Sequence, residues 1–223
     1  MWCIGKITGQ HIAQTEEILD LYGLELPDNV AIVCFDERPC VLQNDVYTPL
    51  SMKSGKIKKI DFEYQRKGTA NLLLAYDIHS GKRFGQVRKR RTKFDFAQFM
   101  DWLEQCYPNK DRIIAVLDNL NTHNYGSFYE NLSIQRASQL RKKIRFQFTP
   151  KHASWLNMVE LEFAALSKQC LNRRIGTIAL LENEIMAWIK ERNKSRIKIK
   201  WSYTTEKARQ NLAKHYIKIS NNN

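Results

Sequence analysis

Three acids in this sequence stand where acids are unusual: Asp36, Asp118 and Glu160. The first two close apolar runs, residues 30–35 and 113–117, each unbroken and too short for an ordinary helix. Such runs read as strands buried on both faces, as in the middle of a parallel sheet. An Asp at the end of a buried strand costs free energy unless something pairs with it. Taken singly, Asp118 has a simpler use, capping a turn through its side chain. Glu160 lies in a helical stretch where Leu156, Val159, Phe163, Leu166 and Cys170 recur as one apolar stripe at about 100° per residue. On that wheel Glu160 falls within the stripe and Glu162 on its flank. A Glu on a core-facing stripe is rarely left unpaired, so a boundary Glu paired with an Arg is the other way to read it.

If the two strands are parallel neighbours, their C-terminal ends share one edge, where open α/β sheets build their sites. The residues between them suffice for a crossover connection, and the helix bearing Glu160 can lie back across the same edge. Three carboxylates cannot crowd together ionised without a cation. Ligands that are all oxygen suit Mg²⁺ or Mn²⁺ rather than zinc. Two such ions about 3.5–4 Å apart stabilise the attacking and leaving oxygens of an in-line phosphoryl displacement.

Other segments must position these acids. Residues 10–22 carry Ile12, Ile18, Leu19 and Tyr22 at near-helical spacing, ahead of a Pro27-containing connector. Residues 41–44 are expected to pair beside the first buried strand, and the Lys-rich stretch 48–66 to be mostly loop. Residues 69–78 and 83–87 flank a Gly-containing turn and predict an antiparallel hairpin. A block of four cations follows, Arg88, Lys89, Arg90 and Arg91. Thr92 can then cap a helix with Phe96, Phe99, Leu103 and Cys106 on one face. Residues 125–143 are irregularly helical and 145–148 form a short strand. Ser154 is a natural N-cap for a helix starting at Trp155. Residues 178–193 make an amphipathic helix, 190–200 are basic, and Thr204 caps a last helix through about Tyr216. Near the start, Trp2, Cys3 and Ile4 form an apolar patch with nothing upstream to pack against.

Thirty-six Lys and Arg against twenty-three Asp and Glu leave a net charge of +13. A surplus of that size favours a polyanionic partner, most often nucleic acid. Arg88, Lys89, Arg90, Arg91, Lys194, Arg196, Lys198 and Lys200 are the candidates for phosphate contact. With 43% hydrophobic and 26% charged residues the chain has the composition of a folded protein. No apolar run is long enough to span a membrane and no signal-peptide pattern is present, so cytoplasmic residence is expected. The five cysteines form no C-x-x-C pair, which argues against a disulfide framework or zinc site; Cys34 and Cys106 look like small core residues. No G-x-G-x-x-G follows a strand, which sets aside a dinucleotide-binding oxidoreductase.

In order and number, several stretches resemble the DDE transposases of bacterial insertion sequences in the mariner superfamily, in particular the insertion sequence 630 group. These are CFDER at 34–38, GTANL at 68–72, VLDNLNTH at 116–123 and FTPKHASWLNMVE at 148–160, with Thr204, Thr205, Ala208 and Arg209 further on. The resemblance implies an α/β fold of ribonuclease-H-like type, a mixed sheet flanked by helices, with a C-terminal helical extension. It divides the chain into a lead-in and connector (1–27), the catalytic domain (28–175) and the extension with its tail (176–223). It implies Asp36, Asp118 and Glu160 as a metal-binding triad for two Mg²⁺ ions, with Mn²⁺ able to replace them and Asp118 bridging both. Glu37, Asn119 and His123 match the family's motif without needing to touch metal, and Asn157 neighbours Glu160 one turn earlier. For His123, a supporting or phosphate-contacting role and a purely structural one stay open. His152 and Trp155 are expected to shape the loop and the helix entry.

The implied reaction is excision of an element by strand cleavage, then direct attack of its 3′-hydroxyl on new double-stranded DNA, usually at a TA dinucleotide. The active complex is expected to be a homodimer. Relatives carry an N-terminal helix-turn-helix region that recognises the element's ends. Met1 directly precedes what resembles the join after that region, so the specificity module is expected in an upstream region or partner reading frame. A rival reading is a catalytically idle remnant that only binds DNA or pairs with an intact transposase.

Overall fold

The structure, a computed structural model, describes residues 7–59 and 61–220, with side chains through 217. The apolar patch at residues 2–4 lies outside them. Five strands form one sheet: β1 (Val30–Asp45), β2 (Tyr64–Asp77), β3 (Arg83–Arg88), β4 (Arg112–Leu117) and β5 (Ile144–Phe148), in the order β3-β2-β1-β4-β5. β1, β4 and β5 run parallel, while β2 is antiparallel to both of its neighbours, so the sheet is mixed. The expected hairpin and the parallel pairing of the two apolar runs are both present.

Each strand's alternating side chains feed two apolar layers. On one face Val33, Phe35 and Leu73 pack with Phe96, Phe99 and Leu103 of α2 (Lys93–Gln105), Phe128 of α3 (Gly126–Asn131) and Leu140 of α4 (Ile134–Lys143). Thr92 starts α2 with a reciprocal capping box to Asp95. On the other face Ile32, Cys34 and Leu74 pack with Ile18 of α1 (Gly9–Gly23), Phe163 of α5 (Val159–Gln169), Ile185 of α6 (Ile178–Lys194) and Ala208 of α7 (Thr205–Asn211). α1 and α7, far apart in the chain, thus share one core with the sheet. Tyr22 of α1 donates a 2.8 Å hydrogen bond to the Leu156 carbonyl, and Thr205 donates a 2.6 Å bond to Asp20. Gly85 lets α6 lie directly on β3, since a Cβ there would meet Ile189 Cδ1 at 2.6 Å.

Three expectations are corrected. β1 does not stop at Asp36 with a separate strand after it; it continues to Asp45, with Asp36 mid-strand and opposite Leu74. Beyond Phe35 the parallel neighbour has ended, and a strand partnered on one side tolerates Pro39. No helix starts at Trp155: Ser154–Leu156 is a 3₁₀ turn, Asn157 is extended, and α5 begins at Val159 without a side-chain cap. The last helical stretch is two helices, with Leu212 between α7 and α8 (Ala213–Ser220). Among the described residues no helix is long and apolar enough to cross a membrane.

Candidate active site

The register fixes the first two acids. Cys34 of β1 pairs with Val116 of β4 in parallel, so Asp36 and Asp118, each two residues further on, stand level at the edge where β4 ends. Asp118 also caps its own turn, accepting from the Leu120 amide at 3.1 Å. The turn-capping use read for this residue is therefore present.

Residues two apart on a strand share a face. Asp36 and Arg38 therefore point toward α5, and Glu37 toward α2. Arg38 donates from Nη1 to the Phe163 carbonyl at 2.8 Å and to Ser167 Oγ, fastening α5 onto β1. Asn157, fully buried, donates to the Phe35 carbonyl at 2.9 Å and anchors the chain just before α5. Glu160 then lies in the first turn of α5, half-buried, near enough to Asp36 for its charge to act there. The three acids converge on one edge from β1, β4 and α5.

On the opposite face the His123 ring packs 4.9 Å from Phe96 and 5.5 Å from Phe35, measured between centroids. Its Nδ1 lies 2.7 Å from Asp118 Oδ1, and its Nε2 lies 3.1 Å from both Glu37 oxygens. With 2% of its surface exposed, His123 cannot touch a phosphate; it holds Asp118 from behind. Asn119 faces outward, its Nδ2 donating to the Thr149 carbonyl at 2.6 Å, which ties the loop after β4 to the end of β5.

The electrostatics follow from this packing. Burial, then the charges of Asp118, Glu160 and Glu37, push the Asp36 carboxyl up to about 7. Burial and Asp118 also raise Glu160, against the pull of the Arg38 charge. Burial would raise Asp118 too, but His123, the Leu120 amide and the charge of Arg91 together hold it below its ordinary value. Burial opposes charge on His123, yet its bonds to Asp118 and Glu37 raise it to about 9, so it is an imidazolium between two carboxylates at neutral pH. Among the described residues no group of three His, Cys, Asp or Glu side chains has the arrangement of a formed metal site. Like charges repel, so carboxylates alone do not draw into a cage. The donor set is nonetheless all oxygen, and Asp36 and Glu160 are raised first by burial and then by the neighbouring carboxylates, conditions that a bound cation would relieve.

The helix wheel misassigned Glu162. It lies in the core, 1% exposed, where Arg83 donates to it from Nε and Nη2 at 2.7 Å and Arg192 from Nε and Nη2 at 3.2 Å. The pairing with arginine weighed for Glu160 belongs to Glu162. The chain breaks its helical phase at Asn157, so a wheel started at Trp155 does not describe α5. Arg83, Arg192 and Arg38 escaped the sequence reading. For Arg38 a signal existed, since it lies two residues beyond Asp36 on the same strand face.

The two basic stretches part company. Arg88 pairs with Asn71, which in turn pairs with Pro39, so Arg88 to Arg91 sit at the acids' end of the β2–β3 hairpin. Arg88 is tied to Gln86, whereas Arg91 is exposed and its charge reaches Asp118. Residues 194–200 instead run past the hairpin's turn, with Lys198 against Gly81 and the Ile199 amide donating to Tyr76 Oη at 2.9 Å.

A family model described as DDE superfamily endonuclease matches residues 31–182. No curated protein matches the chain. Among solved structures, the Mos1 mariner paired-end complex with Mn matches 99% of this chain and 63% of its own, at 12% identity and a TM-score of 0.54. The Mos1 strand transfer complex matches 99% of this chain and 64% of its own, at 11% identity and a TM-score of 0.56. The Mos1 transposase paired-end complex with left transposon end matches 88% and 64%, at 12% identity and a TM-score of 0.57. Such identities speak for the fold, the ribonuclease-H-like mixed sheet flanked by helices. The chain spans less than two thirds of the length of these structures' chains.

Proposed function

The chain belongs to the DDE superfamily endonucleases, and from that membership we propose that it is the catalytic part of a DNA transposase, cutting DNA and joining the freed 3′-hydroxyl to a target duplex. The observation that carries this reading is the level placement of Asp36 and Asp118 on neighbouring parallel strands, with the charge of Glu160 acting on Asp36 from α5. Asp36, Asp118 and Glu160 would hold two Mg²⁺ ions, or Mn²⁺; similar Mos1 complexes include one with Mn and one with Mg. When bound, such ions supply Lewis acidity to the attacking and leaving oxygens of an in-line displacement.

The rest of the work falls to this chain's own groups. His123 and Glu37 fix the orientation of Asp118 and keep it ionised. Arg38 and Asn157 set the distance of α5, and so of Glu160, from β1. Arg91 offers a cation to a phosphodiester arriving at the same edge. In this reading residues 28–175 form the catalytic unit and residues 176–223 brace it. The active form is a homodimer on double-stranded DNA with a TA target, end recognition lies in a helix-turn-helix module beyond these residues, and the setting is the bacterial cytoplasm.

The test is Mg²⁺-dependent nicking of supercoiled plasmid by the full chain. Asp118→Asn and Asp36→Asn should abolish nicking while the chain still folds, as read by circular dichroism. Nicking by either variant at the parent's rate overturns the assignment.

A further inference from the structure

A cleft of about 530 Å³ opens between the first turns of α1 and the loops after β4 and β5. Asn119, the next residue after Asp118, forms part of its wall, so the cleft begins one residue along the chain from the proposed cutting site. The volume falls in the range of small-molecule pockets, roughly 300–1,000 Å³.

Its walls carry two kinds of chemistry. On α1, Gln10 and Gln14 stand one turn apart with His11 beside them. Facing them are Lys151, His152 and Trp155. Side-chain amides donate and accept at once, as the edges of a heterocyclic base require. Among the described residues the side chains of Gln10, Gln14 and Lys151 make no hydrogen bond within the chain. Trp155 is held edge-on by Tyr203, with ring centroids 5.4 Å apart and planes at 82°, yet remains 43% exposed. That is an oriented aromatic surface with room for a second ring. His152 adopts φ +63°, a left-handed conformation that costs a non-glycine residue about 1–2 kcal/mol. Strain of this kind collects at sites that bind.

Burial, and after it the charge of His152, lower the pKa of His11, so at neutral pH its ring donates and accepts without carrying charge. Lys151 is the permanent cation of the cleft. A lysine beside several polar side chains and an indole suits a nucleotide better than a bare phosphate. Within a duplex a base hides its faces and half its edge, so the nucleotide must be unstacked or single-stranded.

We propose that this cleft seats one unstacked nucleotide next to the scissile phosphodiester, its base on Trp155 and its phosphate toward Lys151. The proposal rests on the reading that the Asp118 edge cuts DNA.

The experiment uses the full chain at fixed salt, a blunt 20-base-pair duplex, and the same duplex with a three-nucleotide single-stranded tail carrying 2-aminopurine at successive positions. The tailed duplex should bind at least tenfold more tightly, and one tail position should change in fluorescence. Base–aromatic stacking is worth about 1–3 kcal/mol, so Trp155→Ala should remove roughly 5- to 150-fold of tail binding with blunt-duplex affinity unchanged. Trp155→Phe should keep most of it. Gln14→Ala, a change on the surface of α1, should lower the tail preference several-fold even if Trp155→Ala fails to fold. Equal affinity for tailed and blunt duplexes overturns the proposal, as does an equal loss for both in the folded Trp155 variant. Nicking by the parent, lost in Asp118→Asn, tests the cutting reading separately. Nicking without tail preference sinks the cleft alone, while tail preference without nicking leaves a single-strand site and sinks the cut.

Discussion

Arg83 donates two 2.7 Å hydrogen bonds to the buried carboxylate of Glu162, a partner 79 residues away. This fork joins β3 to α5, and Arg192 of α6 completes it from the other side. Removing one partner of a buried ion pair leaves an uncompensated charge, at a cost of about 3–5 kcal/mol. Glu162→Ala should therefore lose about that much stability in denaturant unfolding. Glu160→Gln should keep full stability and lose nicking. The opposite pattern would put Glu162, and not Glu160, in the active site.

In the proposed reaction His123 would act through Asp118 and not through the DNA, because it is buried against that carboxylate. Removing the group that orients a metal-binding side chain commonly costs about 10–100-fold in activity. His123→Gln should lower the nicking rate by that factor while DNA affinity stays at the parent's value. A matched fall in DNA affinity would mean that His123 contacts phosphate after all. Glu37→Gln should act in the same direction, and the two losses should fall short of adding, since both residues serve one carboxylate.

Much of this site was legible before any coordinates. The apolar runs before Asp36 and Asp118 identify two buried strands, and parallel pairing then makes the two acids neighbours. What stayed hidden depended on distant partners. Asp36 to Pro39 look like a strand's end because they are polar, yet β2 pairs with them and carries β1 on to Asp45. Ser154 has the residue type of a cap but makes no capping bond, because the chain turns through a 3₁₀ segment there. The exchange of roles between Glu160 and Glu162 depends on Arg83 and Arg192, which no local periodicity reveals.

Glu104 links helices on the α2 face. It accepts from Arg136 Nη2 and from Lys143 Nζ, each at 2.6 Å. Burial alone would raise its pKa, but the two cations more than offset that and hold it below the ordinary value. A carboxyl lowered on folding adds stability that is fully present above its unfolded pKa, about 4.3, and is lost as pH falls through the folded value. Glu104→Gln should therefore be less stable than the parent at pH 7, by roughly 1–2 kcal/mol. The gap should close as pH falls below about 4. Thermal unfolding from pH 7 to pH 3 measures it, and a gap that widens on acidification contradicts the ion-pair account.

The two basic stretches offer the sharpest separation of roles, because the fold sets them at opposite ends of the β2–β3 hairpin. Their anchor pairs, Asn71 with Arg88 and Tyr76 with Arg83, are five residues apart along β2, roughly 17 Å. Only the Arg88 end shares the edge with Asp36 and Asp118, and within it Arg91 is the cation that Asp118 feels. Arg88, bonded to Gln86 and 4.0 Å from Asp95, has less charge to offer a ligand. Each phosphate neutralised on duplex DNA should contribute about 0.9 to the slope of log affinity against log salt. Arg91→Ala should lower that slope by about one contact and also slow nicking at saturating DNA, because its charge acts beside the cut. Arg88→Ala should change the slope less. A combined Lys194, Arg196, Lys198 and Lys200 to Ala variant should lower the slope by several contacts while leaving nicking at saturating DNA unchanged, since that stretch lies away from the acids. If this variant nicks as slowly as Arg91→Ala at saturation, both stretches touch the same length of DNA and the separation is wrong.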